Sequence, residues 1–278
     1  MSALSPHPSR LGIIAGSGAL PKKLLYACDT LGIEPFVVAF KGQTDEDVLD
    51  GRAHLLTRLG AAGAIINTLK AHQICDLVLI GAVRRPSLAE LKPDWKTSRF
   101  LMRVGMRAMG DDGLLQAVRR ELEAEGFTLH GVQRFVESLI AGAGRLGGRG
   151  AADADQVDIA RGIEVSQTLG RLDVGQSVIV QEGIVLGVEG VEGTDALIRR
   201  CAALKRKGRG GVLVKTCKPQ QDRDLDLPTI GVDTVKLCIE AGLAGIVFHA
   251  GKTLLIDPQE ISELADRAGL FVIGVDIP

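Results

Sequence analysis

Apolar positions in the first part of the chain fall into short unbroken runs, and between these runs they recur every three or four residues. The runs LGIIA, PFVVAF and DLVLI have the length and β-branched content of strands buried on both faces. In ALPKKLLYACDTLG, Leu20, Leu24, Leu25, Cys28 and Leu31 share one helical face, and AAGAIINTLKAH reads as a second helix. Strands that alternate with helices in this way predict parallel βαβ units. A helical, basic region over 87–110 follows, then a helix over GDDGLLQAVRRELEAEG that stops at Gly126, and one more strand within FTLHGVQRFVESL.

The glycine-dense stretch AGAGRLGGRGAADADQ breaks the pattern and reads as a flexible linker. Beyond it, a helix ends at Gly170, and QSVIVQEGIVLGVEG predicts a hairpin turning at Glu182-Gly183. Thr194 is placed to cap a helix over GTDALIRRCAALKRKG, whose last turn is rich in cations. The strand GVLVKTC and the runs TVKLCIEAG, AGIVFHAG, TLLI, PQEISELADRAG and LFVIGVD complete a second α/β unit. The expected architecture is therefore α/β with two domains. A Rossmann-like doubly wound sheet occupies 1–140, a linker 141–155, and a mixed α/β domain 156–278, with a ligand cleft between the domains and a glycine hinge to close it.

Charge narrows the function. Lys plus Arg number 33 against 34 Asp plus Glu, so the chain lacks the positive field of a generic nucleic-acid binder. Aromatic residues make up 3%, too few for base-stacking platforms. Cys28, Cys75, Cys201, Cys217 and Cys238 form no CxxC pair and read as reduced, buried thiols of a cytoplasmic protein. The opening residues lack a signal-peptide core, and no apolar run approaches the roughly 18 to 20 residues that span a bilayer.

Three stretches can carry chemistry. Gly16, Ser17 and Gly18 follow the first strand and place backbone N–H groups at a helix start, where an anion can bind; an ordinary tight turn explains the same glycines. Arg84 and Arg85, in GAVRRPS, also follow a strand and can grip a phosphate or simply be solvated. The third stretch is KTCKPQQDRDLDLPTIG. It leaves a strand at Cys217, is stiffened by Pro219 and Pro228, and sets Asp222, Asp224 and Asp226 at alternate positions. In an extended segment these side chains project to one side, and carboxylates so close repel unless a cation joins them. That pattern suits a hard divalent ion such as Mg²⁺ and metal-assisted phosphoryl chemistry, while an acidic surface loop accounts for it equally well. No zinc spacing of histidines, GxSxG or Cys-His motif is present, which disfavours a serine or cysteine nucleophile; His249 reads as a packed strand-end residue.

Taken together, LGIIAGSGALP, GRLDVGQSVIVQEGIVLGVEGVEGTDALIRR, KPQQDRDLDLPTIGVDTV, AGLAGIVFHAGKTLLID and LFVIGVD closely resemble the LpxI-type UDP-2,3-diacylglucosamine pyrophosphatases, in the family's order over nearly the whole chain. The resemblance implies Mg²⁺-dependent hydrolysis of UDP-2,3-diacylglucosamine to UMP and 2,3-diacylglucosamine 1-phosphate (lipid X) in lipid A biosynthesis, with attack at the phosphorus nearer the sugar. It makes Asp226 of DLPTIG the expected catalytic residue and Asp226 with Asp222 the expected metal ligands. Substrate contacts are expected from Gly16, Ser17, Gly18, Arg85, Thr194, Arg199, Lys218, Gln221 and Thr229. Asp224 stands where the family pattern carries an arginine. The lipid substrate implies peripheral contact with the cytoplasmic face of the inner membrane, no nucleic acid is expected, and a homo-oligomer is left open. The competing reading is a non-catalytic nucleotide-sugar or phospholipid binding protein.

Overall fold

The computed structural model describes residues 7–84, 91–104, 111–222 and 224–277. The chain divides into two compact units. One comprises Met1–Glu137 and Asp224–Asp226; the other comprises Ser138–Arg223 and Leu227–Pro278.

The first unit runs β1 (Arg10–Ala15), α1 (Ala19–Leu31), β2 (Glu34–Phe40), β3 (His54–Thr57), α2 (Ala62–Ala71), β4 (Asp76–Ile80), α3 (Trp95–Val104), α4 (Asp111–Ala124) and β5 (Thr128–Leu129). Its strands form one parallel sheet in the order β3-β2-β1-β4-β5. The chain thus starts in the middle and winds outward to both sides, which makes the β1/β4 boundary a topological switch point. Helix α1 buries Pro21, Leu24, Leu25 and Cys28, and ends where Gly32 takes φ 68°, a left-handed cap that glycine reaches without strain. Alternate residues of β2 (Phe36, Val38, Phe40) pack with Ile65, Ile66 and Leu69 of α2, with Leu77 and Leu129, and with Leu225. Each such burial contributes about 1.5–3 kcal/mol. The strand expected after Gly126 is only two residues long; 3₁₀ turns at Val132–Arg134 and Glu137–Leu139 take the rest of that segment.

The second unit runs β6 (Gly144–Arg145), α5 (Gln156–Arg171), β7 (Ser177–Gln181), β8 (Ile184–Val188), α6 (Gly193–Ala202), β9 (Val212–Lys215), β10 (Thr229–Ile230), α7 (Val232–Glu240), β11 (Gly245–His249), β12 (Leu254–Leu255), α8 (Pro258–Ala268) and β13 (Phe271–Val275). Six strands form a mixed sheet in the order β6-β13-β11-β9-β7-β8, and β10 pairs with β12 alone. The period of two along a strand sorts its side chains onto two faces. Leu213, Ile246, Phe248 and Val272 join the core that holds residues of α6, α7 and α8, whereas Val212, Val214, Val247 and Phe271 pack with Ile159 of α5. Strands covered on both sides explain the unbroken apolar runs in the sequence.

The predicted hairpin is β7–β8. Glu182 and Gly183 both take positive φ, 52° and 75°, as a two-residue hairpin turn of the right hand requires. The buried carboxylate of Asp158 accepts both of their N–H groups, at 3.1 and 2.6 Å. The glycine-dense stretch carries β6, which pairs antiparallel with Ile273 and Gly274, and the Gly148 N–H donates to Asp266 at 2.8 Å.

Four cysteines are buried as expected, and burial pushes the Cys28 thiol up to about 11. Cys75 is exposed, because it lies in the turn entering β4 rather than in the strand. Among the described residues no helix is long and apolar enough to cross a membrane.

Candidate active site

At the switch point of the first unit the GSG turn meets the residues after β4. Ser17 and Ala82 exchange backbone hydrogen bonds of 2.9 and 3.0 Å, and the Ser17 hydroxyl donates to the Ala82 carbonyl at 3.2 Å. The Gly18 N–H, at the mouth of α1, donates to the Asp45 carboxylate at 2.8 Å. A protein carboxylate therefore already occupies the position an anion would take at this helix N-terminus. Gly16 is needed for close approach, since a Cβ there would lie 2.3 Å from the Ala82 carbonyl oxygen. Gly16→Ala should lower stability by about 2 kcal/mol or more, read as a reduced thermal midpoint. An unchanged midpoint would show that the two turns do not pack this tightly.

In the second unit, β9 leads into the aspartate stretch, and α5 holds its root. The Gln167 side-chain amide donates to Thr216 Oγ1 at 2.8 Å and to the Cys217 carbonyl at 2.9 Å. Thr216 donates to Ser166 at 3.1 Å, and the Gln220 amide reaches the Gly170 carbonyl at 2.6 Å. Lys218, 8% exposed, pairs with Asp173 at 2.6 Å, and its N–H donates to Gln221 Oε1 at 3.1 Å. Three residues of the root are thus fixed by α5, and Lys218 by Asp173 just beyond it, before the chain reaches its first aspartate.

The exit is held from β9 itself. Lys215, the last residue of that strand and almost fully buried, donates to the Thr229 carbonyl at 3.0 Å and to Thr194 Oγ1 at 3.1 Å. Thr194 donates to the buried Glu189 at 2.8 Å, and Ser177 Oγ lies 3.1 Å from the same hydroxyl. A threonine hydroxyl has one proton and two lone pairs, so these three partners fill its capacity. Thr194 consequently does not cap α6; a lysine and a glutamate in a low-dielectric interior draw its hydroxyl inward. The Glu189 carboxylate also accepts the Gln176 N–H at 3.1 Å.

Beyond the carboxyl ends of β9 and β11 lies a cavity of about 350 Å³, lined by Gln167, Arg171, Cys217, Lys218, Pro219, Gln221, His249 and Lys252. This is the edge where open α/β sheets bind ligands, and three of the lining residues are cations. Of these lining residues, Lys218 and Gln221 were expected from the sequence as substrate contacts. Gln167, Arg171 and Lys252 were not, because they come from α5 and from the turn after β11 and meet the root only through the sheet order. His249 is the packed strand-end residue expected of it, 3% exposed with Nε2 3.1 Å from the Ile277 carbonyl oxygen, and its ring also faces the cavity.

The three aspartates fare differently. Asp222 belongs to the second unit, while Asp224 and Asp226 belong to the first. Asp224 lies 3.4 Å from Arg119 of α4, which also pairs with Glu123 at 2.8 Å. Asp226 is half-buried in the sequence between buried Leu225 and Leu227. Arg199 is exposed on α6, Thr229 Oγ1 donates to the Leu227 carbonyl at 3.2 Å, and Arg85 lies outside the described residues. No three His, Cys, Asp or Glu side chains among the described residues converge to cage a metal.

Two family models account for nearly the whole chain: the LpxI N-terminal domain matches residues 10–139 and the LpxI C-terminal domain residues 142–273. The chain belongs to the LpxI family. A relative from Caulobacter vibrioides, named UDP-2,3-diacylglucosamine pyrophosphatase LpxI, is 41% identical over 275 residues, covering 96% of this chain and 98% of its own. A formate-dependent phosphoribosylglycinamide formyltransferase from Cronobacter sakazakii is 25% identical, covering 98% of this chain and 73% of its own. The family boundary between 139 and 142 falls close to the structural division after Glu137.

Proposed function

We propose that this LpxI-family chain hydrolyses the pyrophosphate of UDP-2,3-diacylglucosamine, giving UMP and 2,3-diacylglucosamine 1-phosphate. The observation that carries the reading is the 41% identity, over almost the full length of both chains, to a relative named for that substrate. The structure adds support in the bracing of the aspartate stretch, rooted on α5 and gripped at its exit by Lys215.

Water attacks the phosphorus nearer the sugar as its bond to the bridging oxygen breaks, so UMP departs carrying the bridging oxygen and the sugar 1-phosphate keeps the oxygen of water. Asp226 aligns the attacking water and accepts its proton. Lys218, Gln221, Arg171 and Lys252 offer donors to anionic oxygens of the substrate. Asp226, aided by Asp222, would hold Mg²⁺, which when bound offsets charge on the phosphate oxygens.

The test is to incubate the chain with the diacylated UDP-sugar and Mg²⁺ and to follow UMP. UMP release that EDTA suppresses and added Mg²⁺ restores is the expected result. Binding of the substrate without any UMP would favour the non-catalytic binding protein instead. Release undiminished by EDTA would remove the metal from the proposal.

A further inference from the structure

Helix α3 presents an outer stripe that the proposed chemistry does not use. Trp95, Arg99 and Met102, at positions i, i+4 and i+7, lie on one side of the helix. All three are exposed, Trp95 to 78% and Met102 to 69%. The opposite side faces inward: Thr97 is buried, and its hydroxyl donates to the Gly60 carbonyl at 2.9 Å. Asp94, just before the helix, accepts the N–H groups of Gly63 and Thr97 at 2.8 and 2.7 Å, so its charge is turned away from the stripe.

The surroundings are cationic. Lys92, Lys96, Arg99 and Arg103 come from this segment and Lys70 from α2. Glu125 is shared by Lys70 and Lys96, and Glu121 takes Arg103 at 2.6 Å. Five cations against three carboxylates, Asp94, Glu121 and Glu125, leave a local positive excess among the described residues in a chain whose net charge is -1. A tryptophan and a methionine held out in water beside uncompensated arginine and lysine form a basic amphipathic surface, which matches the interface of an anionic bilayer. There the indole sits at headgroup depth, and the Arg99 stem lies along apolar groups while its guanidinium meets phosphate.

We infer that the Trp95–Arg99–Met102 stripe of α3 docks the protein reversibly on an anionic lipid surface. The choice of a lipid surface as occupant rests in part on the diacylated substrate proposed above; the charge and the exposed indole are independent of it.

Trp95 is the only tryptophan of the chain, so its fluorescence reports on this surface alone. The full-length protein would be mixed, without substrate, with vesicles of phosphatidylcholine alone or with about one-third phosphatidylglycerol. Expected are co-sedimentation and a blue shift of Trp95 emission with the anionic vesicles only, both reversed by high salt. Arg99→Glu and Met102→Glu should each weaken the partition roughly tenfold without moving the unfolding midpoint. Absence of binding, or binding with Trp95 emission unchanged, would overturn the inference. So would a Met102→Glu variant that alters the molecular mass in solution but not the partition, because the stripe would then cover a second copy of the chain. UMP release from detergent-dispersed substrate separates the two proposals: release without vesicle binding sinks only the docking surface, and vesicle binding without release sinks only the hydrolase.

Discussion

Asp226→Ala is expected to lower UMP release by roughly a thousandfold or more while the protein stays folded. The carboxylate is asked to supply alignment of water, a proton acceptor and a metal ligand, and alanine removes all three. Asp226→Asn sharpens the test, since the amide keeps the shape and most of the hydrogen-bonding capacity but loses the charge. Both variants should fall to similar rates if the negative charge is what matters. Substrate affinity, measured with the inactive variants, should change far less than turnover, because the donors at Lys218, Gln221, Arg171 and Lys252 are untouched. Asp224→Ala is the natural control: that carboxylate meets Arg119 on a partly exposed helix face, where an ion pair contributes little. Wild-type turnover by Asp226→Ala would sink the catalytic assignment, and loss of folding would recast the residue as structural.

The second large effect is on stability. Lys215→Met should cost about 3–5 kcal/mol, because it strands groups that were buried only on the strength of their partners. The Thr229 carbonyl loses its donor, the Thr194 hydroxyl loses one of three, and the Glu189 carboxylate stays in the interior without the nearby cation. A fall of about 10 °C in the thermal midpoint follows for a chain of this size. Pairing the change with Glu189→Gln should recover part of the loss, since the double variant no longer buries an uncompensated charge. Additive losses in the two single variants would show that Lys215 and Glu189 do not act through Thr194.

Much of this architecture was readable in the chain. Both sheets are buried on two faces, so their strands appear as unbroken apolar runs, and helix periodicity fills the gaps between them. The hairpin at Glu182-Gly183 was legible because its turn demands positive φ and the sequence places glycine there. The Lys215, Thr194, Glu189 and Ser177 cluster was not, because Lys215 lies 21 residues from Thr194 and is brought to it by the adjacency of β7 and β9. A lysine closing the run Val212, Leu213, Val214 was the one local hint, a charge where a strand buried on both faces should end. The glycines after β1 were legible as a tight turn. That Ala82 and Asp45 take the donors there was not, since neither residue is near them in the chain.

The Asp224–Asp226 segment has a consequence for how the chain comes off the ribosome. Leu225 fills a place in the core of the first unit, beside residues made long before it. Amino-terminal units ordinarily settle as they emerge. Here the first sheet emerges with an apolar gap in its core that stays unfilled until most of the second has been synthesised. The early part of the nascent chain is therefore the stage most dependent on chaperone cover.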